Sequence, residues 1–205
     1  MLENATSTLT QNWDGRSGAA SNGQGKKFVG QLEQVANVIS ARHAFEAERD
    51  IFFVEMNGFD THNDEFDTVN TKFNDINVGL SLFVDEMKAQ GVWDQVVVQS
   101  LSEFGRTVTT NGRGTDHAWG GNYFLVGGGV KGGTIHGEYP ELRIDGPNSV
   151  SANGHMMPSL PWEAIWKPLA QWLGVEDQKL HDVMPNLHQF SDEHLLETSD
   201  VFENP

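Results

Sequence analysis

Two short apolar runs, each followed at once by a polar loop, constrain the fold of this chain more than any other feature. The first run covers residues 51–56 and opens into the loop 57–62. The second covers residues 96–101 and opens into the loop 102–106. Each run is predicted to be a strand, and the continuous apolar character of the second is typical of burial on both faces. Buried strands that end in polar loops are how an open α/β sheet builds a site.

An amphipathic helix is predicted between the two strands. Apolar residues recur at three- and four-residue spacing from Phe66 to Met87, and Gly91 stands where a helix end is expected. The order strand, helix, strand predicts a right-handed parallel crossover over residues 51–101. The predicted fold class is therefore α/β, with a mostly parallel sheet flanked by helices.

The chain is predicted to divide into three parts. Residues 1–25 are rich in Gly, Ser, Thr and Asn, which predicts a flexible arm. Residues 26–175 carry the periodic patterns and are predicted to form the α/β domain. Residues 176–205 are acidic and weakly patterned, and they are predicted to be a tail.

Further elements of the predicted domain follow from the same patterns. Helices are predicted over residues 26–39 and 161–173, and a short strand over 122–126. Pro168 lies inside the last helical pattern and predicts a kink or an early break there. Residues 127–133 are mostly glycine, but they lack the ending of a nucleotide loop and are interpreted as a wide turn.

Charge and composition exclude several classes of protein. The formal charge of −16 argues against a nucleic-acid partner, because a phosphate backbone needs a basic face. The absence of cysteine excludes disulfides and cysteine nucleophiles. No apolar run reaches the length of a membrane span, and residues 1–6 do not resemble a signal peptide. A soluble protein is expected, and its location is left open, with periplasmic and extracellular settings included.

The polar loops carry residue types that are typical of a metal site. Asp60 and His62 are two residues apart, so in a strand-like geometry both side chains leave the same face. A carboxylate and an imidazole on one face suit zinc or another divalent ion. Asp116 and His117 lie on a glycine-bracketed loop, where backbone freedom lets side chains turn inward. The predicted metal ligands are Asp60, His62, Glu103, Asp116 and His117, with zinc, manganese or calcium as the ion.

Glu103 and Arg106 are the predicted catalytic residues. Glu103 follows the second strand, and the planar guanidinium of Arg106 suits an oxyanion such as phosphate or sulfate. Other interpretations stay open for each fragment. Asp60 could cap a turn, Asp116 and His117 could form a hydrogen-bonded pair, and Glu103 could form a salt bridge with Arg106.

Two histidines outside these loops are candidates for additional ligands. His136 and His155 lie in the irregular stretch 134–158, which contains few periodic signals. The other histidines are in no comparable setting. No binding site for an organic cofactor is predicted.

Four segments, in this order, resemble a known family: Gly-Phe-Asp-Thr-His at 58–62, Ser-Glu-Phe-Gly-Arg-Thr at 102–107, Asn-Gly-x-Gly-Thr-Asp-His at 111–117 and the glycine-rich 127–133. Together they look like the family called domain of unknown function 1501. That family is similar in fold to the alkaline phosphatase and sulfatase superfamily, whose members bind divalent metals at the carboxyl ends of strands. The resemblance implies an alkaline phosphatase-like α/β fold in a partial version.

The resemblance also implies roles for particular residues. By this likeness Asp60 and His62 take the place of an Asp/His pair that holds one metal, and His117 that of a later His ligand. Glu103 stands where the superfamily commonly has the Asp of an Asp-His pair. Phe104 then occupies the position of the His, a departure that weakens the case for a second metal.

Members of the family usually carry a long amino-terminal half, where the superfamily places its nucleophile. Residues 1–25 contain no such segment, so the resemblance is to the carboxyl-terminal half, and this chain alone is not expected to be catalytic. The implied function is a metal-dependent hydrolase of phosphate or sulfate esters, with a small anionic ester as substrate. The alternative is a non-catalytic subunit that keeps the fold and docks a complementary chain or forms a homo-oligomer.

Overall fold

The computed structural model describes residues 9, 13–21, 23–46 and 48–203, and the chain forms two compact units. The first unit ends at Val96 and the second begins at Val97. Residues 1–8, 10–12 and 22 of the predicted arm lie outside the described residues. No helix of the described part combines the length and the apolar character that a membrane span requires.

The first unit is helical. Its elements are α1 (Trp13–Ser17), α2 (Gln24–Ser40), α3 (Arg42–Phe45), α4 (Glu65–Ala89) and a 3-10 turn (Trp93–Gln95). Helices α2 and α4 pack against each other. Gly79 of α4 allows this approach, because a Cβ there would lie 2.7 Å from Cε1 of Phe28 and 3.0 Å from Cδ1 of Leu32. The two long helices predicted for this part of the sequence are confirmed.

The apolar stripe predicted for α4 is wrong in its amino-terminal half. Phe66 and Phe73 are exposed, whereas Asp75, which is not part of the stripe, is buried. Asp75 accepts hydrogen bonds from the backbone N–H and the hydroxyl of Ser21, both at 2.6 Å, just before α2 begins. A buried carboxylate with two short donors is stable, so this half of the buried face is polar.

The predicted strand at 51–56 belongs to no sheet of the described residues. One residue of it is held by a side chain instead. The N–H of Glu55 donates to Oε1 of Gln31 at 3.1 Å, and its C=O accepts from Nε2 of the same amide at 2.8 Å.

The second unit contains two small antiparallel sheets. Strand β1 (Val97–Gln99) pairs with β4 (Leu125–Gly127), and β2 (Gly105–Thr110) pairs with β3 (Thr115–Ala118). The chain is therefore α/β, as predicted. The mostly parallel sheet is not found among the strands that the structure describes, because β1 pairs antiparallel with β4 and β2 pairs antiparallel with β3.

The helices of the second unit lie towards the end of the chain. They are α5 (Trp162–Trp172), α6 (Leu180–Val183) and α7 (Thr198–Val201), with 3-10 turns at Asp177–Lys179, Leu187–Gln189 and Asp192–His194. The core of this unit joins Leu169 of α5 to Val201 and Phe202, with Val97 and Leu125 packed against them.

The segment 176–205, predicted as an acidic tail, thus contributes two fully covered side chains, Val201 and Phe202. Phe202 stacks on Trp172 with ring centroids 5.7 Å apart. The carbonyl of Val201 accepts a hydrogen bond from the N–H of Lys131 at 2.8 Å.

The break predicted at Pro168 is wrong, since α5 continues to Trp172. Proline has no N–H, so the carbonyl of Ala164, four residues earlier, loses its helical donor. That carbonyl accepts a hydrogen bond from the N–H of Leu196 at 3.4 Å. The donor from the end of the chain compensates for the missing helical bond, and the buried proline is tolerated.

Candidate metal site

The loop at 57–62 in the first unit is anchored on α4 by Lys72. The ammonium of this mostly buried residue donates to the carbonyl of Asn57 at 2.8 Å and lies 5.2 Å from the ring centroid of Phe59. Gly58 makes the contact possible. Its φ is +92°, and a Cβ there would lie 2.7 Å from Nζ of Lys72. The loop conformation is therefore fixed by a tertiary contact as well as by its own sequence.

Asp60 and His62 project together from this loop. Thr61 between them is buried, and its N–H donates to the carbonyl of Phe59 at 2.9 Å. Both flanking side chains are exposed, and Oδ1 of Asp60 lies 2.9 Å from Nε2 of His62. The two side chains meet on one side of the loop, as their spacing predicts. Both atoms are of the kind that coordinates divalent metals.

In the second unit, Arg106 and His117 lie opposite each other on the β2–β3 hairpin. The turn is closed by Asn111, whose side-chain oxygen accepts from the N–H groups of Arg113 and Gly114 at 3.2 and 2.9 Å. Such an Asx turn explains why an Asn-Gly pair begins the reversal. The segment interpreted from sequence as a loop is thus largely strand.

Phe104 lies against both residues of that pair. Its ring stacks on the imidazole of His117 with centroids 4.0 Å apart, and the Cζ of Arg106 lies 5.1 Å from its centroid. One guanidinium nitrogen of Arg106 also donates to the carbonyl of Thr115 at 3.0 Å. The aromatic ring therefore restricts the orientation of a candidate ligand and of a candidate anion-binding group.

Asp116 and Glu103 have different environments. Nδ2 of Asn111 donates to Oδ1 of Asp116 at 3.2 Å, and the hydroxyl of the buried Thr107 accepts from the N–H of Asp116 at 3.1 Å. Glu103 is exposed, and within the described residues it forms no salt bridge with Arg106.

Asp60 and His62 of the first unit and His117 of the second are the group of candidate metal ligands, and each has one ligand atom to offer. Glu103 and Asp116 lie outside the group, within the part of the chain that the structure describes. The same is true of His136 and His155. The imidazole of His155 instead shares a short hydrogen bond with the hydroxyl of Ser151.

The sequence matches a family described as "Protein of unknown function (DUF1501)" over residues 3–159. The chain belongs to this family. No curated protein and no solved structure matches it. The resemblance noted from the four motifs is confirmed at the level of this DUF1501 family.

Two residues that position the site were not identified from the sequence. Lys72 lies in the middle of a helical pattern, where a lysine usually indicates the solvated face. In the sequence, Phe104 stands out only as a departure from a superfamily motif. Its position two residues before Arg106 was the available signal, because an aromatic and a cation at that spacing leave the same face of a strand.

Proposed function

We propose that this chain binds a divalent metal through Asp60, His62 and His117 and contributes that ion to the hydrolysis of phosphate or sulfate esters, in the manner of the alkaline phosphatase-like superfamily. The observation that carries the proposal is the Asp60–His62 pair, with ligand atoms 2.9 Å apart on an anchored loop. The DUF1501 motifs support it, because His117 stands in a later segment of the same family.

The donor set favours zinc over the other two candidate ions. One carboxylate and two imidazoles are a typical ligand set of catalytic zinc, which keeps one coordination position open. Calcium prefers six to eight oxygen ligands, and two imidazoles do not fit that preference. Manganese accepts mixed nitrogen and oxygen ligands but binds such sites more weakly than zinc. When bound, the ion supplies Lewis acidity and a water of lowered pKa.

The roles of the protein groups follow from their chemistry. Arg106 binds the ester anion through its planar guanidinium, which offers five N–H donors. Phe104 stacks beside that guanidinium and limits its orientation. Glu103 is an exposed carboxylate in the preceding loop and serves as a proton acceptor for the attacking water.

Metal binding is tested on the purified, untagged chain by elemental analysis and by calorimetric titration with zinc. We expect one zinc per chain. We expect His62→Ala and His117→Ala each to reduce zinc affinity by at least about tenfold, because loss of even a group that only supports a ligand lowers metal affinity by about 10–100-fold. His136→Ala is the matched control, since His136 is exposed and lies outside the group. Equal zinc affinity in all three variants would remove the basis of the proposal.

Hydrolysis is tested separately with aryl phosphate and aryl sulfate esters, with and without added zinc. If Arg106→Lys loses turnover but retains its metal, the assigned role of Arg106 is supported. Lysine keeps the positive charge but lacks the forked N–H donors of the guanidinium. Zinc binding without any turnover would instead favour a non-catalytic subunit. That second candidate is supported by the uncovered apolar residues at 51–53.

A further inference from the structure

Residues 50–56 of the first unit form an uncovered, strand-like segment. Ile51 and Phe53 are 84% and 79% exposed, whereas Phe52 between them is 38% exposed. The alternation between more and less exposed residues continues to Met56. A two-residue period is that of a β-strand. The segment therefore has the exposure pattern of a strand, although it pairs with no strand among the described residues.

The hydrogen bonds of Glu55 identify which edge of the segment is occupied. Its N–H and C=O both bond to the side-chain amide of Gln31. In a strand, the N–H and C=O of one residue point to one side, and those of the next residue point to the other side. The backbone groups of Asp50, Phe52 and Val54 therefore point away from Gln31. Among the residues that the structure describes, none bonds to these three backbones.

We infer that this second edge pairs with the same edge of a second copy of the chain, antiparallel, with Phe52 opposite Phe52. In this register the even-numbered residues exchange hydrogen bonds, as the orientation of Glu55 requires. Ile51 then lies opposite Phe53 of the second copy, a favourable pairing of a β-branched and an aromatic side chain. This inference does not depend on the proposed metal site.

Charge supports this register over its neighbours. With Phe52 opposite Phe52, Arg49 of each copy lies opposite Glu55 of the other, so two pairs of opposite charge flank the apolar centre. A shift by one residue would place Asp50 opposite Glu55, and like charges directly opposite are destabilising. In that shifted register, odd-numbered residues of one copy would have to form the hydrogen bonds, and their backbone groups point to the edge that Gln31 occupies.

The expected dimer is weak. A buried phenylalanine covers about 150–250 Å². A pairing that covers Ile51, Phe52 and Phe53 therefore stays below the roughly 800 Å² per copy of a standard interface. We expect dimerisation to depend on protein concentration, and sedimentation equilibrium of the full chain over a wide concentration range measures it.

The register is tested by disulfide crosslinking, because the chain contains no cysteine. In Phe52→Cys, the two Cα atoms would lie about 5.5 Å apart, which suits a disulfide. In Val54→Cys, the two positions would be separated by four residues, roughly 13 Å along the strands. We expect the first variant to form a covalent dimer on mild oxidation and the second to remain uncrosslinked. A mixture of Asp50→Cys and Val54→Cys should crosslink again.

Charge reversal provides a second readout that does not alter the backbone. Glu55→Arg should weaken dimerisation at least several-fold, and the double variant Arg49→Glu with Glu55→Arg should restore it. Circular dichroism of each variant shows whether the helices of the first unit remain intact. A monomer at every concentration would overturn the inference, and so would equal crosslinking of Phe52→Cys and Val54→Cys, which would indicate non-specific apolar contact.

Discussion

The rings of Phe104 and His117 stack face to face, with centroids 4.0 Å apart and planes inclined by 5°. The guanidinium of Arg106 lies near the same phenyl ring, with its Cζ 5.1 Å from the centroid. Phe104 therefore acts as a positioning residue between a candidate metal ligand and a candidate anion-binding group. An aromatic residue at this place in the motif orients the side chains beside it, whereas a histidine would provide a further metal ligand.

We predict that Phe104→Leu weakens zinc binding without removing any ligand. The substitution keeps an apolar side chain but loses ring stacking, which contributes about 0.5–1.5 kcal/mol. Zinc affinity should therefore fall by about two- to tenfold, measured by calorimetric titration. Phe45→Leu is the control, because Phe45 is an exposed ring of the first unit. An unchanged affinity in Phe104→Leu would show that stacking does not orient His117 for binding.

A second prediction concerns the glycine that allows Lys72 to anchor the loop. Gly58→Ala places a Cβ 2.7 Å from Nζ of Lys72 at a φ of +92°, so the variant should lose about 1–3 kcal/mol of unfolding free energy. Gly30→Ala is the matched control, since Gly30 lies inside α2 with open space around it. That control should gain about 0.5–1 kcal/mol. Urea denaturation measures both, and equal stability of the two variants would contradict the anchoring contact.

Helix positions were predictable because hydrophobic periodicity depends on local sequence. Helices α2, α4 and α5 lie close to their predicted ranges, and β1 overlaps its predicted strand. The polar half of the buried face of α4 was not predictable. Asp75 is buried because Ser21, 54 residues earlier, donates two hydrogen bonds to it, and no periodic pattern reports such a contact.

The β2–β3 hairpin was missed although its signals were present. Residues 107–110 read Thr-Val-Thr-Thr, which favours a strand, and Asn111-Gly112 is a common hairpin turn. The interpretation of residues 114–117 as a ligand loop hid these signals. The proximity of Asp60 and His62 could be predicted from the sequence, because two-residue spacing determines which face the side chains share. The contact of Lys72 with their loop could not be predicted, since it joins a helix to a separate loop.

A third prediction concerns the end of the chain. Phe202 is buried between Trp172 and the core of the second unit, so Phe202→Ala should reduce the unfolding free energy by about 3–5 kcal/mol. Val183→Ala is the control, because it shortens an exposed side chain of the same segment. It should change the unfolding free energy by no more than about 0.5 kcal/mol. Guanidinium denaturation followed by tryptophan fluorescence measures both. A small effect of Phe202→Ala would mean that residues 176–203 do not contribute to the core in solution.

The last prediction concerns Tyr123, whose ring lies 4.5 Å from that of Trp162. Burial raises the pKa of the Tyr123 phenol above its ordinary value of 10.0, because the charged form is poorly solvated. The unfolded chain therefore loses this proton at a lower pH than the folded chain. The folded state then holds more protons, and its stability should fall as the pH rises above 10.0.

Tyr123→Phe should remove the part of the high-pH loss of stability that comes from ionisation of Tyr123. It should also remove the highest-pH component of the tyrosinate absorbance titration. The chain has two tyrosines, so Tyr139→Phe is the matched control, and Tyr139 is exposed. Urea denaturation on either side of the ordinary pKa compares the two variants with the wild type. Because the phenylalanine ring preserves the contact with Trp162, a loss of stability at neutral pH is not expected. The prediction would be contradicted if the highest-pH component of the absorbance titration disappeared in Tyr139→Phe and persisted in Tyr123→Phe.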